Sequence, residues 1–358
     1  MLDDHPVKTV TVLPAGSWGT ALAILAAANT EQVFLWHRCP DKAADLQHQR
    51  QNTRRLAGVV FPDNITVTPD LPAALQASEA VILAPPSHAF EGLCRDIAPW
   101  VSDGQAYVLS ATKGLDPKKY MRMSQLAASV LPPCILGPAV LAGPTFAREA
   151  AVGQPTSALV AADHSQVIRT FQTILHGPTF RIYSSQDMIG AEIGGAVKNV
   201  LAIGVGIAVG MGLGYNAVAA LITRGLNEMV RLGTSLGAQP VTFAGLAGLG
   251  DLVLTCTGEL SRNRQAGIEL GRGRELKDIL PRIGTVEGIG ATAAVHNLAA
   301  QMNLEMPITA QIYAVLFNGK TPAAAVRELM ARDHRPEMDA KPKPDHDLWT
   351  EAQPGDID

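Results

Sequence analysis

Residues 7–27 read VKTVTVLPAGSWGTALAILAA. An apolar, β-branched run of strand length (7–13) meets the turn Pro14-Ala15-Gly16-Ser17-Trp18-Gly19 and passes straight into an alanine-rich run of helical length (17–28). A second apolar run, QVFLW, follows at 32–36. Strand, helix and strand at this spacing form a βαβ unit, and a right-handed crossover then lays the strands side by side in a parallel sheet. The turn is a variant of the dinucleotide fingerprint G-x-G-x-x-G. Its middle glycine lets backbone approach a diphosphate, its last lets the helix pack close to the strand, and the helix N-terminus offers free N–H groups to the anion. Gly16 and Gly19 fill the second and third places. Pro14 stands in the first, where a fixed φ near -65° is tolerated only if the turn needs an ordinary negative φ, and that is the expected path. The competing reading is a tight strand–helix connection with no ligand.

Further apolar runs at 80–84, 106–110 and 134–143 alternate with helix-like segments, so the first half reads as an α/β doubly wound, Rossmann-type parallel sheet. Near residue 187 the alternation stops, and long alanine, leucine and glycine stretches follow. The division expected is a dinucleotide-binding domain over 1–186, an all-helical substrate and catalytic domain over 187–332, and a tail over 333–358 too rich in proline and charge to fold. The run VLAIGVGIAVGMGL at 200–213 is shorter than the roughly 20 residues a membrane span needs, and reads as a buried helix. A net charge of -4 and 5% aromatic residues argue against a nucleic-acid partner. Four scattered cysteines and an acidic N-terminus without an apolar core point to a cytoplasmic protein with reduced thiols. The nine histidines show no ligand spacing, so no metal is expected.

Several side chains stand out chemically. Lys198 lies in the apolar segment GAVKNVLAIG. Burial there would lower its pKa into a range useful for proton transfer to a nascent alkoxide, whereas a lysine at a helix edge would extend its ammonium into water. Asp251 follows GLAGLG, placed to hold Lys198 or a substrate hydroxyl, or to cap the helix that begins at LVLTC. Ser261-Arg262-Asn263-Arg264 gathers hydroxyl, guanidinium and amide donors suited to a phosphate monoester, with Ser261 as a helix cap in the plainer reading. Lys113 could approach a carbonyl or phosphate, or be solvated. After the second strand no carboxylate is present to hold a ribose 2′-hydroxyl; Arg38 stands there instead, either as a fork for a 2′-phosphate, favouring NADP over NAD, or as a solvated surface residue.

The segments SATKGL (110–115), LAGPTFAREAAVGQPT (141–156), EIGGAVKNVLAIGVGIAVGMGLG (192–214), ALITRGLNEMVRLG (220–233), GLAGLGDLVLTCTGELSRNRQAG (245–267) and VEG (286–288) occur in order. Together they resemble the bacterial NAD(P)-dependent sn-glycerol-3-phosphate dehydrogenase family from about residue 8 to about residue 330. The resemblance implies reversible hydride transfer between NAD(P)H and C2 of dihydroxyacetone phosphate, giving sn-glycerol 3-phosphate for phospholipid synthesis. It implies a catalytic role for Lys198 and places Lys113 near both cofactor and substrate. Gly143, Thr145, Asp251, Ser261, Arg262 and Asn263 fall at substrate contacts; Ser17, Trp18, Arg38, Ala147, Arg262 and Glu287 fall at cofactor contacts. By analogy a homodimer is expected. The chain departs from the family at Pro14, at Pro86, at Val209 and Tyr215 where aspartate is common, and mildly at Thr145 and Arg148. The rivals are a hydroxyacid or nucleotide-sugar dehydrogenase, the latter needing Cys256 as nucleophile, and a cofactor-binding protein that has lost catalysis.

Overall fold

The computed structural model describes residues 7–101, 107–132, 137–333 and 337. Its frame is an eight-stranded sheet: β1 (Thr9–Leu13), β2 (Gln32–Trp36), β3 (Ile65–Thr68), β4 (Ala80–Leu83), β5 (Tyr107–Ser110), β6 (Pro138–Ala142), β7 (Thr156–Ala161) and β8 (Phe180–Ser185). The order across the sheet is β3-β2-β1-β4-β5-β6-β7-β8. Neighbours run parallel except β6 and β7, which are antiparallel. The doubly wound reading holds, with this one reversal added. The run expected at 80–84 is a strand over 80–83; of that at 106–110, residues 107–110 form β5 and 106 lies outside the described residues. Of the run at 134–143, residues 138–142 form β6 and 134–136 lie outside the described residues.

Strand β1 sits between β2 and β4, and helices cover both faces, so from Val10 to Leu13 its side chains are buried whichever way they point. Along β4 the faces alternate. Ala80 and Ile82 join the core under the helices Ser17–Ala27 and Ser165–Leu175, while Val81 and Leu83 join Phe90, Leu93 and Ile97 of Ser87–Ile97 on the other side. The order reverses at β1 and β4, which leaves a crevice outside their C-terminal ends.

From Met188 onward the described residues are helical, including a short π-turn at Leu246–Gly250. The helix Met188–Gly210 is apolar all round and forms the axis of this half, packed by Tyr215–Ser235, Asp251–Thr257, Arg262–Gly271 and Glu287–Gln301. At 23 residues it is long and apolar enough to cross a membrane, longer than the run read from sequence, yet 83% of its most apolar window is buried inside the protein. Asp187 starts it, accepting from the Gly190 N–H at 2.8 Å. Glu192 ties it to the sheet half: its buried carboxylate accepts from the Ser124 N–H (2.7 Å), the Ser124 hydroxyl (2.6 Å) and Arg122 (2.7 Å). Of the tail expected beyond 332, all but Asp333 and Glu337 lie outside the described residues.

Candidate active site

The fingerprint turn closes as the glycine pattern requires. The Leu13–Pro14 peptide is cis and Pro14 keeps a negative φ. Its carbonyl accepts from the Gly16 N–H at 2.7 Å, and Ala15 N–H reaches Trp36 O at the end of β2 at 2.8 Å. A Cβ on Gly19 would lie 2.1 Å from the Pro14 carbonyl oxygen, so the helix can sit this close to the strand only with glycine there. Gly16 faces open space and is the N-cap of Ser17–Ala27, a helix start that no side chain caps. Its first N–H groups therefore remain for an anion. The Trp18 ring packs with Ala147 and Ala151 against Leu56 and Val59, and its buried indole N–H has no partner. Arg38 is exposed just beyond β2, with no ion pair among the described residues.

At the C-terminal ends of β5 and β6 the chain delivers a buried charge cluster. Lys113 donates to Gly143 O at 2.8 Å, to Thr145 Oγ1 at 3.1 Å and to Asp251 Oδ2 at 2.9 Å. Gly143 takes φ +119°, a conformation that turns its carbonyl toward Lys113 and that a side chain would strain. Lys198 donates to the other Asp251 oxygen, Oδ1. Asp251 is fully buried; Lys198 and Lys113 keep 8% and 16% side-chain exposure. One carboxylate thus faces two ammonium groups, and the cluster carries one proton too many for its surroundings. Burial, with Lys113 adding to it, pushes the Lys198 pKa down to about 7 against the pull of Asp251.

Asp251 does not cap its helix. The π-turn runs without a break into Asp251–Thr257, and Gly250 is already helical (φ -60°, ψ -51°), so no cap is needed and the carboxylate is free for the lysines. Thr255, one turn later, donates its hydroxyl to Asp251 O at 2.6 Å. Ser261 does cap: its hydroxyl accepts from the Arg264 N–H at 3.2 Å, starting Arg262–Gly271. Asn263 is buried and accepts from the Gly288 N–H at 2.9 Å while donating to Asn199 Oδ1 at 2.8 Å. This amide bridge joins the residue after Lys198 to those beside Arg262 and Glu287. Glu287 in turn accepts from Ser87, past the end of β4, at 3.0 Å. Partial burial lowers the Arg262 pKa; the charge of nearby Glu287 opposes the shift, and that of Arg55 from the sheet half adds to it. Ser87, Asn199 and Thr255 belong to this assembly although sequence reasoning assigned them no role. The Lys-Asn pair and the four-residue step from Asp251 to Thr255 were the available signals. Cys256 is buried, and desolvation lifts its thiol to about 12, so it cannot serve as a nucleophilic thiolate.

Lys113, Lys198 and Asp251 thus form one buried charge cluster, and the Asn263–Asn199 bridge ties it to the helix that starts at Ser261. Comparison with known proteins shows the family. Residues 9–168 match the family described as NAD-dependent glycerol-3-phosphate dehydrogenase N-terminus, and 187–327 match its C-terminus. Glycerol-3-phosphate dehydrogenase [NAD(P)+] of Pseudoalteromonas translucida is 47% identical over 332 residues, 92% of this chain and 98% of that protein. The protein of the same description from Colwellia psychrerythraea is 46% identical over 328 residues, 91% and 98% of the two chains. A crystal structure of glycerol-3-phosphate dehydrogenase from Coxiella burnetii superposes with TM-score 0.86 at 40% identity, covering 91% of this chain and 99% of that one. A ketopantoate reductase from Ralstonia eutropha, 12% identical with TM-score 0.57, shares the fold alone.

Proposed function

The chain belongs to the NAD-dependent glycerol-3-phosphate dehydrogenase family, and from that premise we propose how its residues carry the reversible reduction of dihydroxyacetone phosphate to sn-glycerol 3-phosphate, the backbone precursor of phospholipids. The enzyme is an NAD(P)-dependent oxidoreductase acting on a CH–OH group. We take residues 1–186 as the cofactor unit and 187–332 as the substrate unit. A dihydronicotinamide held by these residues would supply a hydride to C2 of the ketone. The charge that then builds on the C2 oxygen needs a proton, and Lys198 is placed to give it. Asp251 orients Lys198, and Lys113 raises the positive potential beside it. In oxidation the neutral Lys198 amine takes the hydroxyl proton back.

The triose phosphate is a dianionic ester, and Arg262 supplies the matching charge and fork. Thr145, Gly143, Ser261 and Asn263 shape the pocket around it, the last two mainly by fixing the start of the Arg262 helix. On the cofactor side Gly16, Ser17, Gly19 and the Trp18 backbone form the diphosphate turn. Ala147 packs beneath Trp18; Glu287, Lys113 and Arg262, which serves the cofactor as well as the triose phosphate, stand on the same side, and Arg38 favours NADP over NAD. We further take the protein to be a cytoplasmic homodimer, which sedimentation analysis tests directly.

The observation that carries this reading is Asp251 buried between Lys198 and Lys113. The test is NADPH oxidation with dihydroxyacetone phosphate beside pyruvate and ketopantoate. Turnover with the triose phosphate alone is expected; a preference for either keto acid would reject the substrate assignment.

A further inference from the structure

We propose that Arg55 is a ligand for the cofactor diphosphate, closing on it from the sheet half while Arg262 faces it from the helical half. This rests on the cofactor part of the reading above. The loop that carries Arg55 is clasped to the fingerprint turn by the Asn52 side chain and the Arg55 backbone. Buried Asn52 donates to Ala15 O at 3.1 Å and to Thr20 Oγ1 at 2.9 Å, and its Oδ1 accepts from the Arg55 N–H at 3.2 Å. Ser17, the first residue of the uncapped helix, donates its hydroxyl to Arg55 O at 2.9 Å. Leu56 is buried immediately afterwards, against Ala21 and Val59. The main chain of Arg55 is therefore fixed at the phosphate pole of the turn, while its side chain is exposed and takes no part in fixing it.

Among the described residues the guanidinium of Arg55 makes no hydrogen bond or ion pair, and neither does that of Arg262, although Glu287 lies beside the latter. The two cations are close enough for Arg55 to depress the Arg262 pKa. Two guanidiniums brought near each other, one from the sheet half and one from the helical half, repel unless an anion lies between them. A diphosphate on the free N–H groups of Ser17–Ala27 supplies that anion, and planar forks suit its paired oxygens. Arg54, adjacent and exposed, has neither the Ser17 link nor the Arg262 neighbour, and serves as the charge control.

The test is titration of NADPH and NADH into the full chain, following nicotinamide fluorescence, for wild type, Arg55→Ala, Arg55→Lys and Arg54→Ala. Because none of the contacts that hold the loop uses the Arg55 side chain, Arg55→Ala is expected to fold with unchanged Tm. Its Kd should rise about ten- to a hundredfold for both cofactors by the same factor, the loss expected for charge-assisted hydrogen bonds. Arg55→Lys should recover part of this and Arg54→Ala should match wild type. Unchanged affinity in Arg55→Ala would overturn the proposal. So would a loss confined to NADPH, which would move Arg55 to the 2′-phosphate. No triose phosphate is present in the titration, so failure of the substrate reading leaves its result intact.

Discussion

Replacing Asp251 by asparagine should move the enzyme's pH profile, by an amount that follows from the cluster. In the wild type Lys198 titrates at about 7. Reduction needs its ammonium form, so kcat for dihydroxyacetone phosphate should be flat below that pH and fall tenfold per unit above it. Oxidation needs the free amine and should show the mirror image. Asp251→Asn keeps the shape of the side chain and removes the one negative charge, leaving two lysines facing each other in a buried site. Opposite charges about 4 Å apart at an effective dielectric near 20 attract by about 4 kcal/mol. Losing that lowers the Lys198 pKa by about three units further. At pH 7 its protonated fraction then drops from about one half to about one in a thousand, and reduction slows several hundredfold. Acidification to pH 5 should restore most of the difference, leaving a gap of about tenfold. The assay is kcat from NADPH absorbance at saturating substrate between pH 5 and 9. An Asp251→Asn limb that stays near 7, with the rate reduced equally at every pH, would refute the electrostatic link between Asp251 and Lys198.

Two other substitutions probe the cofactor side. Arg38→Ala should raise the KM for NADPH about tenfold or more and leave that for NADH within about twofold, as expected for a guanidinium that meets a 2′-phosphate; equal effects would return Arg38 to the solvated surface. Gly19→Ala places a methyl 2.1 Å from a main-chain oxygen that cannot swing aside, so the helix must retreat from the strand. Cofactor Kd should rise at least about tenfold, and Tm should fall by several degrees, as for other overpacked core sites; wild-type affinity would contradict the close-packing role.

Much of this was legible because local signals were strong. The apolar run into Gly16 and Gly19 fixed β1 and its helix to within two residues, and β2 was placed at its observed bounds. Lys198 announced itself as a lone cation in an apolar helix. Strands β3, β7 and β8 escaped notice for different reasons. β3 is four residues long beside a proline, β7 starts with polar Thr156 and Ser157, and β8 is an edge strand whose Arg181 and Tyr183 face water. The antiparallel turn of β7 has no local signature. Nor does the three-way contact of Lys113, Lys198 and Asp251, whose members lie 53 and 138 residues apart and meet only through tertiary packing. Asp251 was open to a capping role because a helix starting at that residue is the ordinary case; a π-turn running into it is not. The side chain of Arg55 carries no sequence signal, and its importance rests on a loop clasped from Asn52 and Ser17.

The central claim, that Lys198 gives the proton to the C2 oxygen, is met most directly by single-turnover reduction of dihydroxyacetone phosphate by NADPH in Lys198→Ala. The account predicts a fall in the chemical step of about 10²- to 10⁴-fold with NADPH affinity unchanged. A variant that turns over within a few fold of wild type would contradict it.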